Sequence, residues 1–560
     1  MIINKLDITG RHIFKSWREN GEKKTEIVEF SPYFYVSDEG PRPRKYSPSK
    51  FIERDFRYEE TDAKTLNGEG LLKVYVDSAK DIEEARKAFG SYPTYEADVP
   101  LHFRYCVDEL DSLPEYDMRK WYWDMEWQQG GEYHDAITAI SVYDNYDKRF
   151  YLWTWFPNES KFVHPAIEGF DTEVFIFDSE KNMLASFVKS LQAKDPDMLI
   201  AWFGLKFDLP VLISRLEANL LDPLALSPVR DVKGVTSKGW KRDGNGNSYY
   251  ESKGYSPISQ PIKGRITLNL DLAFERQWND SQRGTLPSLS LDYVSNTLFG
   301  EGKVWTSKFT DPNEFYRRGW LEDTDVYLQY ALVDVDILRK IDETNFTSEA
   351  IISLQRLLVA PFDACFFASH MGSIYFMRNA TWKAPTGSKS QERAKYEGAM
   401  IYDPTSEETQ GLHLNVAAFD FAGLYPSMMI ARNISWETKS QEETPFGVNI
   451  LTPRDFSEEK VFEMRYYKTD KLGLLPRSVL HLKNLRNDYK RKMREARSEG
   501  NTAEYQKWYN NQMAVKRLMA SFYGIVAYQG FGWADVELAA SITASAREAI
   551  REAAFAAKEL

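Results

Sequence analysis

Trp121-Tyr122-Trp123-Asp124-Met125-Glu126-Trp127 is an aromatic-rich segment that predicts a β-strand. Because side chains alternate between the two faces of a strand, Asp124 and Glu126 share one face. Two neighbouring acids repel each other unless a cation lies between them. The segment alone leaves two interpretations open, which are an exposed strand face with unpaired acids and one part of a metal site.

Two later segments carry acids in comparable settings. Residues 198–208 read Met-Leu-Ile-Ala-Trp-Phe-Gly-Leu-Lys-Phe-Asp, which predicts a strand and a turn, with Asp208 opening a helix. An acid at that position is often only a helix cap. In the predicted helix 327–334, Tyr330 and Asp334 are four residues apart and lie on one face. Alone, that pair indicates an ordinary helix surface contact.

Together, the three segments resemble the three motifs of DnaQ-like 3′–5′ proofreading exonucleases in order and form. Asp124-Met125-Glu126 is similar to D-x-E, Phe207-Asp208 to the end of N-x-x-x-F-D, and Tyr330 to Asp334 to Y-x-x-x-D. The resemblance implies a site for two Mg²⁺ ions that hydrolyses DNA, with Tyr330 orienting the attacking water. The implied metal ligands are Asp124, Glu126, Asp208 and Asp334. Phe203 replaces the motif's Asn, so we expect activity with altered handling of the single strand.

A second motif lies in the C-terminal half. Residues 420–427 read Asp-Phe-Ala-Gly-Leu-Tyr-Pro-Ser and follow an alternating segment that predicts a strand ending at Asp420. They resemble motif A of family B DNA polymerases, D-x-x-S-L-Y-P-S, with Gly423 in place of Ser. The resemblance implies that Asp420 binds two further Mg²⁺ ions and that the Gly423–Leu424 backbone holds a triphosphate. It also implies that Tyr425 excludes a ribose 2′-hydroxyl. Upstream, residues 396–399 resemble the Y-x-G-G/A element.

Residues 471–500 carry nine basic and three acidic side chains. Such a run is usually a solvated helix face. Here two helices separated by Gly500-Asn501 predict a hairpin, and residues 516–524 resemble motif B, K-x-x-x-N-S-x-Y-G, with Ala520 in place of Asn. Because the hairpin accompanies a segment that resembles motif A, we interpret it as polymerase fingers that bind dNTP phosphates. The expected dNTP-binding residues are Arg486, Lys490, Lys516, Ala520 and Tyr523.

The composition sets broader limits. A chain of 560 residues suggests three or four domains. Its net charge of −12, taken alone, argues against general coating of phosphates. Cys106 and Cys365 are the only cysteines, which excludes a disulfide framework and favours a reducing cytoplasm. No apolar run is long enough to predict a membrane span. The expected location is the cytoplasm, of an infected bacterial host if the chain is viral.

The predicted fold class is multidomain α/β and α+β. A β-rich N-terminal domain is expected at 1–113 plus 346–392, and an RNase H-like exonuclease domain at 114–345. A partial palm is expected at 393–472 plus 528–560, and helical-hairpin fingers at 473–527. Residues 231–260 are rich in Gly, Ser, Lys and Asn, which predicts a long hairpin or insertion.

No segment resembling motif C, Y-G-D-T-D-S, follows motif B, and no thumb domain follows either. Because one Asp cannot hold both metal ions, we expect no DNA synthesis by this chain alone. The resemblance, closest to T-even-phage polymerases, favours the large part of a split viral polymerase, or else a truncated chain. Expected partners are primer–template DNA, dNTPs, the 3′ end of single-stranded DNA, a C-terminal subunit with motif C and thumb, and a sliding clamp through that subunit.

Two other interpretations stay open. One is a free-standing 3′–5′ exonuclease whose polymerase half is vestigial, which the departures at Phe203, Gly423 and Ala520 support. The other is a non-catalytic regulator that binds single-stranded nucleic acid through the basic hairpin and the many aromatic residues. The complete set of exonuclease carboxylates argues against the regulator.

Overall fold

A computed structural model describes the chain except for residues 8, 129–131, 134, 159, 235–239, 243–247, 251–253, 279–283, 307, 388–395, 401–409, 418, 452–461, 529 and 560. Backbone contacts divide it into two compact units. The first unit comprises Met1–Phe30, Ser112–Ile352 and Pro361–Asp363. The second comprises Ser31–Asp111, Ser353–Ala360 and Ala364–Leu560. The predicted N-terminal domain, 1–113 plus 346–392, has residues in both units, and the four predicted domain ranges stay a prediction.

The strands of the described residues are, in chain order, β1 Ile2–Lys5, β2 His12–Glu19, β3 Glu22–Glu29, β4 Tyr33–Ser37, β5 Lys45–Ser49, β6 Ile52–Asp55, β7 Arg57–Lys64, β8 Gly70–Tyr75, β9 Thr94–Tyr95, β10 Lys120–Trp127, β11 Ile137–Asp144, β12 Arg149–Trp155, β13 Asp171–Phe177, β14 Met198–Ala201, β15 Trp240–Arg242, β16 Ser248–Tyr250, β17 Ile266–Asn269, β18 Lys439–Ser440, β19 Phe446–Leu451 and β20 Phe462–Tyr467.

The α-helices of the same residues are α1 Ile82–Lys87, α2 Leu101–Glu109, α3 Glu180–Lys194, α4 Asp208–Ala218, α5 Leu270–Trp278, α6 Leu291–Phe299, α7 Pro312–Glu322, α8 Thr324–Asn345, α9 Thr347–Leu358, α10 Ala368–Asn379, α11 Leu424–Ala431, α12 Leu474–Ser498, α13 Thr502–Val526 and α14 Val536–Glu559.

The first unit is built on a six-stranded mixed sheet with the order β13-β12-β11-β10-β14-β17. The three strands β10, β14 and β17 run parallel, whereas β11 is antiparallel to both of its neighbours. Aromatic side chains fill its core, among them the fully buried Trp121 and Trp153. Because β10 lies inside the sheet, the acids that it carries have little exposure to solvent. The predicted aromatic strand is present as β10.

Buried hydrogen bonds fix α8 against this sheet. The Tyr122 hydroxyl on β10 donates to Asp342 Oδ2 on α8 at 2.7 Å. The same carboxylate accepts the Ser348 hydroxyl, and its other oxygen accepts the Ser348 amide. A second link joins the hydroxyls of Thr138 on β11 and Tyr327 on α8, 2.8 Å apart. These bonds set the height of α8 along the strands, and with it the position of Tyr330 and Asp334.

The second unit contains a four-stranded sheet, β7-β8-β4-β9, and a three-stranded sheet, β18-β20-β19. The predicted helical hairpin is present as α12 and α13, which pack against each other. Gly500, in a left-handed conformation at φ +69°, follows α12. Asn501 then caps α13 by accepting the Glu504 amide. The sequence break at Gly500-Asn501 therefore forms the turn of the hairpin.

The predicted strand ending at Asp420 is wrong. The backbone of residues 410–421, apart from 418, is irregular, and Asn415 adopts a left-handed φ of +57° that interrupts any extended run. A strand needs a hydrogen-bonded neighbour, and within the described residues no strand pairs with this segment. Its apolar side chains face solvent instead, with Leu412 89% and Phe419 94% exposed.

Three further expectations concern smaller features. Within residues 231–260, β15 and β16 pair antiparallel, as the predicted hairpin requires. Cys106 and Cys365 are both buried, and neither forms a disulfide. Among the described residues, no helix combines the length and apolar character that crossing a membrane requires. The cytoplasmic location stays a prediction.

We predict that Tyr122→Phe lowers the free energy of unfolding by about 1–3 kcal/mol, because the buried Asp342 carboxylate loses a donor. Chemical denaturation measures the change. Tyr146→Phe is the control, since its hydroxyl bonds to the Asp117 carbonyl at an exposed position and should cost about 0.5 kcal/mol or less. Equal losses in the two variants would show that the Tyr122–Asp342 bond does not anchor α8.

Candidate functional site

Three acids converge on the main sheet of the first unit. Asp124 and Glu126 come from one face of β10, and Asp334 comes from α8. One carboxylate oxygen from each residue lies within 4.8 Å of the other two. The period-two spacing of the strand and the packing of α8 thus bring together residues that are 208 positions apart in the sequence.

Asp208 lies at the first position of α4 and is also buried. Its neighbour in space is Gly204, where an added Cβ atom would lie 3.6 Å from Asp208 Oδ2 and only 2.5 Å from Ala201 Cβ. The close approach of Ala201 Cβ favours glycine at this position, and the distance to the carboxylate shows that the turn at Gly204 lies beside Asp208. The charge of Asp208 interacts with Asp124, so the structure adds a fourth acid to the cluster.

Burial raises the pKa of every acid in this cluster, and repulsion between the acids adds to the shifts of Asp124, Glu126 and Asp208. The pKa of Asp124 rises to about 7, mainly through burial and secondly through Asp334. Burial also holds the pKa values of Glu126 and Asp208 well above the usual range, with Asp124 adding to each shift. The pKa of Asp334 is raised in the same direction by burial. The site thus holds more negative charge than its own surroundings can stabilise.

Lys303 is the one basic residue in contact with this cluster among the described residues, and sequence reasoning missed it. Its Nζ donates to the Tyr330 hydroxyl at 2.7 Å and to Asp334 Oδ2. Burial would lower the pKa of Lys303, but Asp334 and Asp124 outweigh burial and raise it. The residue is therefore a cation. A single Lys, 27 positions before Tyr330 and outside any matched motif, gave no signal in the sequence.

The donor set fits a divalent cation. Carboxylate oxygens are the ligands that Mg²⁺ prefers, and one Lys supplies a single positive charge to four acids. Within the described residues, Asp334 Oδ1 is buried without a hydrogen-bond partner. A buried carboxylate oxygen in that state costs free energy unless it meets a cation or a donor. The residues present can therefore hold a metal ion between Asp124, Glu126 and Asp334, with Asp208 beside it.

A second group of candidate residues lies on the α12–α13 hairpin. Arg486 donates from Nε to Gln512 Oε1 on α13 at 3.2 Å. The pKa of Lys490 is lowered by burial and then by the nearby charges of Arg486, Arg494 and Lys516. Ala520 is exposed farther along α13. The helices thus place several like charges close together, a surface suited to an anion such as a triphosphate.

Tyrosines pack beside the hairpin. The rings of Tyr425 on α11 and Tyr523 on α13 have centroids 4.4 Å apart. The Tyr523 hydroxyl lies 3.1 Å from that of Tyr396, and burial together with this contact raises the pKa of Tyr523. Gly423 caps α11 at φ +76°, a conformation that favours glycine over the Ser of the motif. Leu424 begins the helix.

Asp420 is not enclosed as the acids of the first unit are. It lies exposed in the irregular segment that precedes α11, and no cluster of metal-ligating side chains includes it within the described residues. The structure therefore assembles the expected exonuclease residues into one site. It brings together the expected nucleotide-binding residues of α11, α12 and α13 only in part.

A buried carboxylate cluster in one unit and a basic helical hairpin with packed tyrosines in the other are typical of proteins that act on phosphodiesters and nucleotides. Two family models match the chain. They are DNA polymerase family B over residues 366–559 and the exonuclease domain of DNA polymerase family B over residues 110–259. Together they span more than half of the sequence, and the chain belongs to DNA polymerase family B.

Relatives and a solved structure agree with this assignment. A DNA polymerase from Pyrococcus glycovorans is 26% identical over 98% of this chain and 66% of its own length. One from Thermococcus sp. strain 9oN-7 is 25% identical over 96% of the chain and 65% of its own length. The chain thus spans slightly less than two thirds of these relatives. The structure of the family B DNA polymerase from Pyrobaculum calidifontis matches with a TM-score of 0.69 at 19% identity, covering 100% of this chain and 72% of that one.

The predicted fold, a family B polymerase fold with an exonuclease domain, is confirmed. The roles of the individual residues, the viral source and the split arrangement stay predictions.

We predict that Asp124→Asn stabilises the protein at pH 8 in EDTA by about 1–3 kcal/mol. The pKa of Asp124 is raised in the folded state, so this acid favours folding at low pH and loses that effect as pH rises towards 7. The gain should therefore shrink by pH 5, as denaturation at several pH values would show.

Added Mg²⁺ should raise the unfolding temperature of the wild type more than that of Asp124→Asn, because a ligand that binds only the folded state stabilises it. The exposed Glu168→Gln change is the control and should behave as the wild type does. A constant difference between Asp124→Asn and the wild type at all pH values would contradict the electrostatic account.

Proposed function

We propose that the first unit is a metal-dependent 3′–5′ exonuclease acting on the 3′ end of single-stranded DNA. The observation that carries this proposal is the cluster of the partly buried Asp124 with the buried Glu126 and Asp334, with Asp208 beside it. The match of residues 110–259 to the exonuclease domain model supports it. Acids on an ordinary protein surface would be exposed to solvent. They would not be brought together from three separate elements, β10, α4 and α8.

Two Mg²⁺ ions are the cofactors we propose for this site. Bound there, they would polarise the scissile phosphate and lower the pKa of a water molecule. The chain's own residues have separate tasks. The four carboxylates hold the positive charge, and the Tyr330 hydroxyl, fixed by Lys303 at 2.7 Å, lies where it can orient a water. Lys303 also offers a positive charge to a phosphate oxygen that enters the cluster.

We predict that the chain shortens a 5′-labelled single strand from its 3′ end in the presence of Mg²⁺ and that EDTA stops the reaction. The double change Asp124→Ala/Glu126→Ala should reduce the rate to background, because two of the ligands are lost. Glu168→Gln again serves as the control. Full activity in the double variant would refute the site, and no Mg²⁺-dependent cleavage by the wild type would refute the exonuclease.

We further propose that the second unit contributes to DNA-directed DNA synthesis with primer–template DNA and dNTPs. In this role Asp420 binds the two metal ions of the polymerase site, the Gly423–Leu424 backbone and the basic hairpin hold the triphosphate, and Tyr425 lies under the sugar. The cations on α12 and α13 and the Tyr425–Tyr523 contact support this proposal. The match of residues 366–559 to the polymerase model also supports it.

A second palm carboxylate would complete this site, and we propose that a polypeptide segment with motif C and a thumb supplies it and links the enzyme to a sliding clamp. The exposed segment 410–421 supports this proposal. Apolar residues occur there at every second position, as in a strand, namely at Leu412, Leu414 and Val416. Their exposed fractions nevertheless lie between 73% and 89%. An added strand would bury this apolar surface.

We predict that a polypeptide carrying motif C restores primer extension and that Lys516→Ala then raises the KM for dNTP roughly tenfold, because a charge-assisted phosphate contact is lost. Lys492→Ala is the matched control, since its ammonium pairs with Asp488 at 2.9 Å on the same hairpin. Primer extension by this chain alone would refute the need for a partner. An unchanged KM in Lys516→Ala would refute the phosphate contact.

A further inference from the structure

We propose that Phe203 binds the DNA strand in the exonuclease site by stacking on a base near the 3′ end, and that the protein accepts backbone strain to place this ring. The proposal rests on the exonuclease function proposed above. It assigns to this chain a specificity-determining residue at the position where the motif has Asn.

The backbone of Phe203 is strained. Its φ is +57°, in the left-handed region that non-glycine residues rarely adopt and that is especially unfavourable for bulky side chains. Three hydrogen bonds hold it there. Its carbonyl accepts the amides of Lys206 and Phe207, and its own amide donates to Asp271 Oδ1 at 3.3 Å. Each is a main-chain bond at residue 203, so Gly or Asn would make all three with less strain.

Phe203 is not one of the buried core residues of the part of the chain that the structure describes. The Phe203 side chain is partly exposed, and its nearest aromatic neighbours, Trp202 and Phe207, have ring centroids 6.4 Å away in edge-on arrangements. A strained residue that does not fill the core suggests a role in binding, since strain persists at functional sites where the conformation is useful.

The position relative to the acids indicates which ligand the ring meets. The next residue, Gly204, is the one whose backbone approaches the Asp208 carboxylate. On the other side of the same turn, Phe207 is 40% exposed and the Lys206 ammonium lies 5.2 Å from the centre of its ring. Partly exposed aromatic rings, a cation and a carboxylate metal site adjoin one another. That combination suits a nucleic-acid strand whose phosphate is being cleaved.

The ring changes how the strand is recognised. An Asn side chain would offer directional hydrogen bonds, whereas Phe offers only a flat apolar surface. Stacking tolerates any base, because every base has a π face. Phe203 therefore favours unpaired bases of any sequence and fails where the base is missing.

The test compares Phe203→Asn with a control that shares its strain. Leu220 also has a φ of +57°, is 87% exposed and lies just beyond the other end of α4. Phe203→Asn and Leu220→Asn should each raise the thermal midpoint by roughly 2–4 °C through relief of strain. Only Phe203→Asn should raise the KM for a single-stranded oligonucleotide, by about fivefold or more, with kcat within about twofold.

Substrates sharpen the result. The wild type should bind an oligonucleotide with one abasic position near the 3′ end more weakly than the intact one, and Phe203→Asn should treat the two nearly alike. Anisotropy titrations in the Asp124→Asn background measure this difference without cleavage, so they stay decisive even if the wild type proves inactive as a nuclease. The stacking role would be overturned if Phe203→Asn kept the KM of the wild type and still bound the abasic oligonucleotide as much more weakly than the intact one as the wild type does. A lowered thermal midpoint would overturn the strain argument.

Discussion

Four acids held close together in a largely buried site govern how the first unit is built. Glu126, Asp208 and Asp334 are buried, and Asp124 is partly buried beside them. Burial raises the pKa of all four acids because it disfavours the charged form, and repulsion adds to the shifts of Asp124, Glu126 and Asp208. Lys303 offsets part of this charge. A site so arranged is unstable as an anion and therefore has affinity for cations. The affinity of the site for cations and the free-energy cost of ionising its acids thus have the same electrostatic origin.

The scaffold around the cluster has to withstand that repulsion. The main sheet places β10 in an internal position, and α8 is bonded to it through Tyr122–Asp342 and Thr138–Tyr327. Hydrogen bonds to a buried carboxylate are strong and leave little freedom. The helix therefore cannot move away to relieve the charge, and the acids stay close enough to share a metal ion. In the second unit, by contrast, Asp420 lies on an exposed segment without such support.

The sequence identified the parts that depend on local spacing. Period two on β10 and period four on α8 correctly placed Asp124 with Glu126 and Tyr330 with Asp334, and the Gly500-Asn501 break correctly divided two helices. Prediction from the sequence failed where the structure of a segment depends on another segment that packs or pairs with it. Residues 412–420 have the sequence alternation of a strand, but no described strand pairs with them, and those that the structure describes, all but 418, are irregular. The sequence did not predict the role of Lys303 for a related reason, since that role depends on contacts with residues far away in the sequence.

The family, the two motif groups and the face of each element that carries the acids could all be read from the sequence, because periodicity and motif order are properties of the chain. The balance of charge in the cluster, the carboxylate oxygen that lacks a partner and the strain at Phe203 emerged only in the folded protein. Those properties depend on burial and on contacts between distant residues, and no local pattern encodes them. The φ of Phe203 shows the difference, because Phe gives no sign in the sequence of a left-handed backbone.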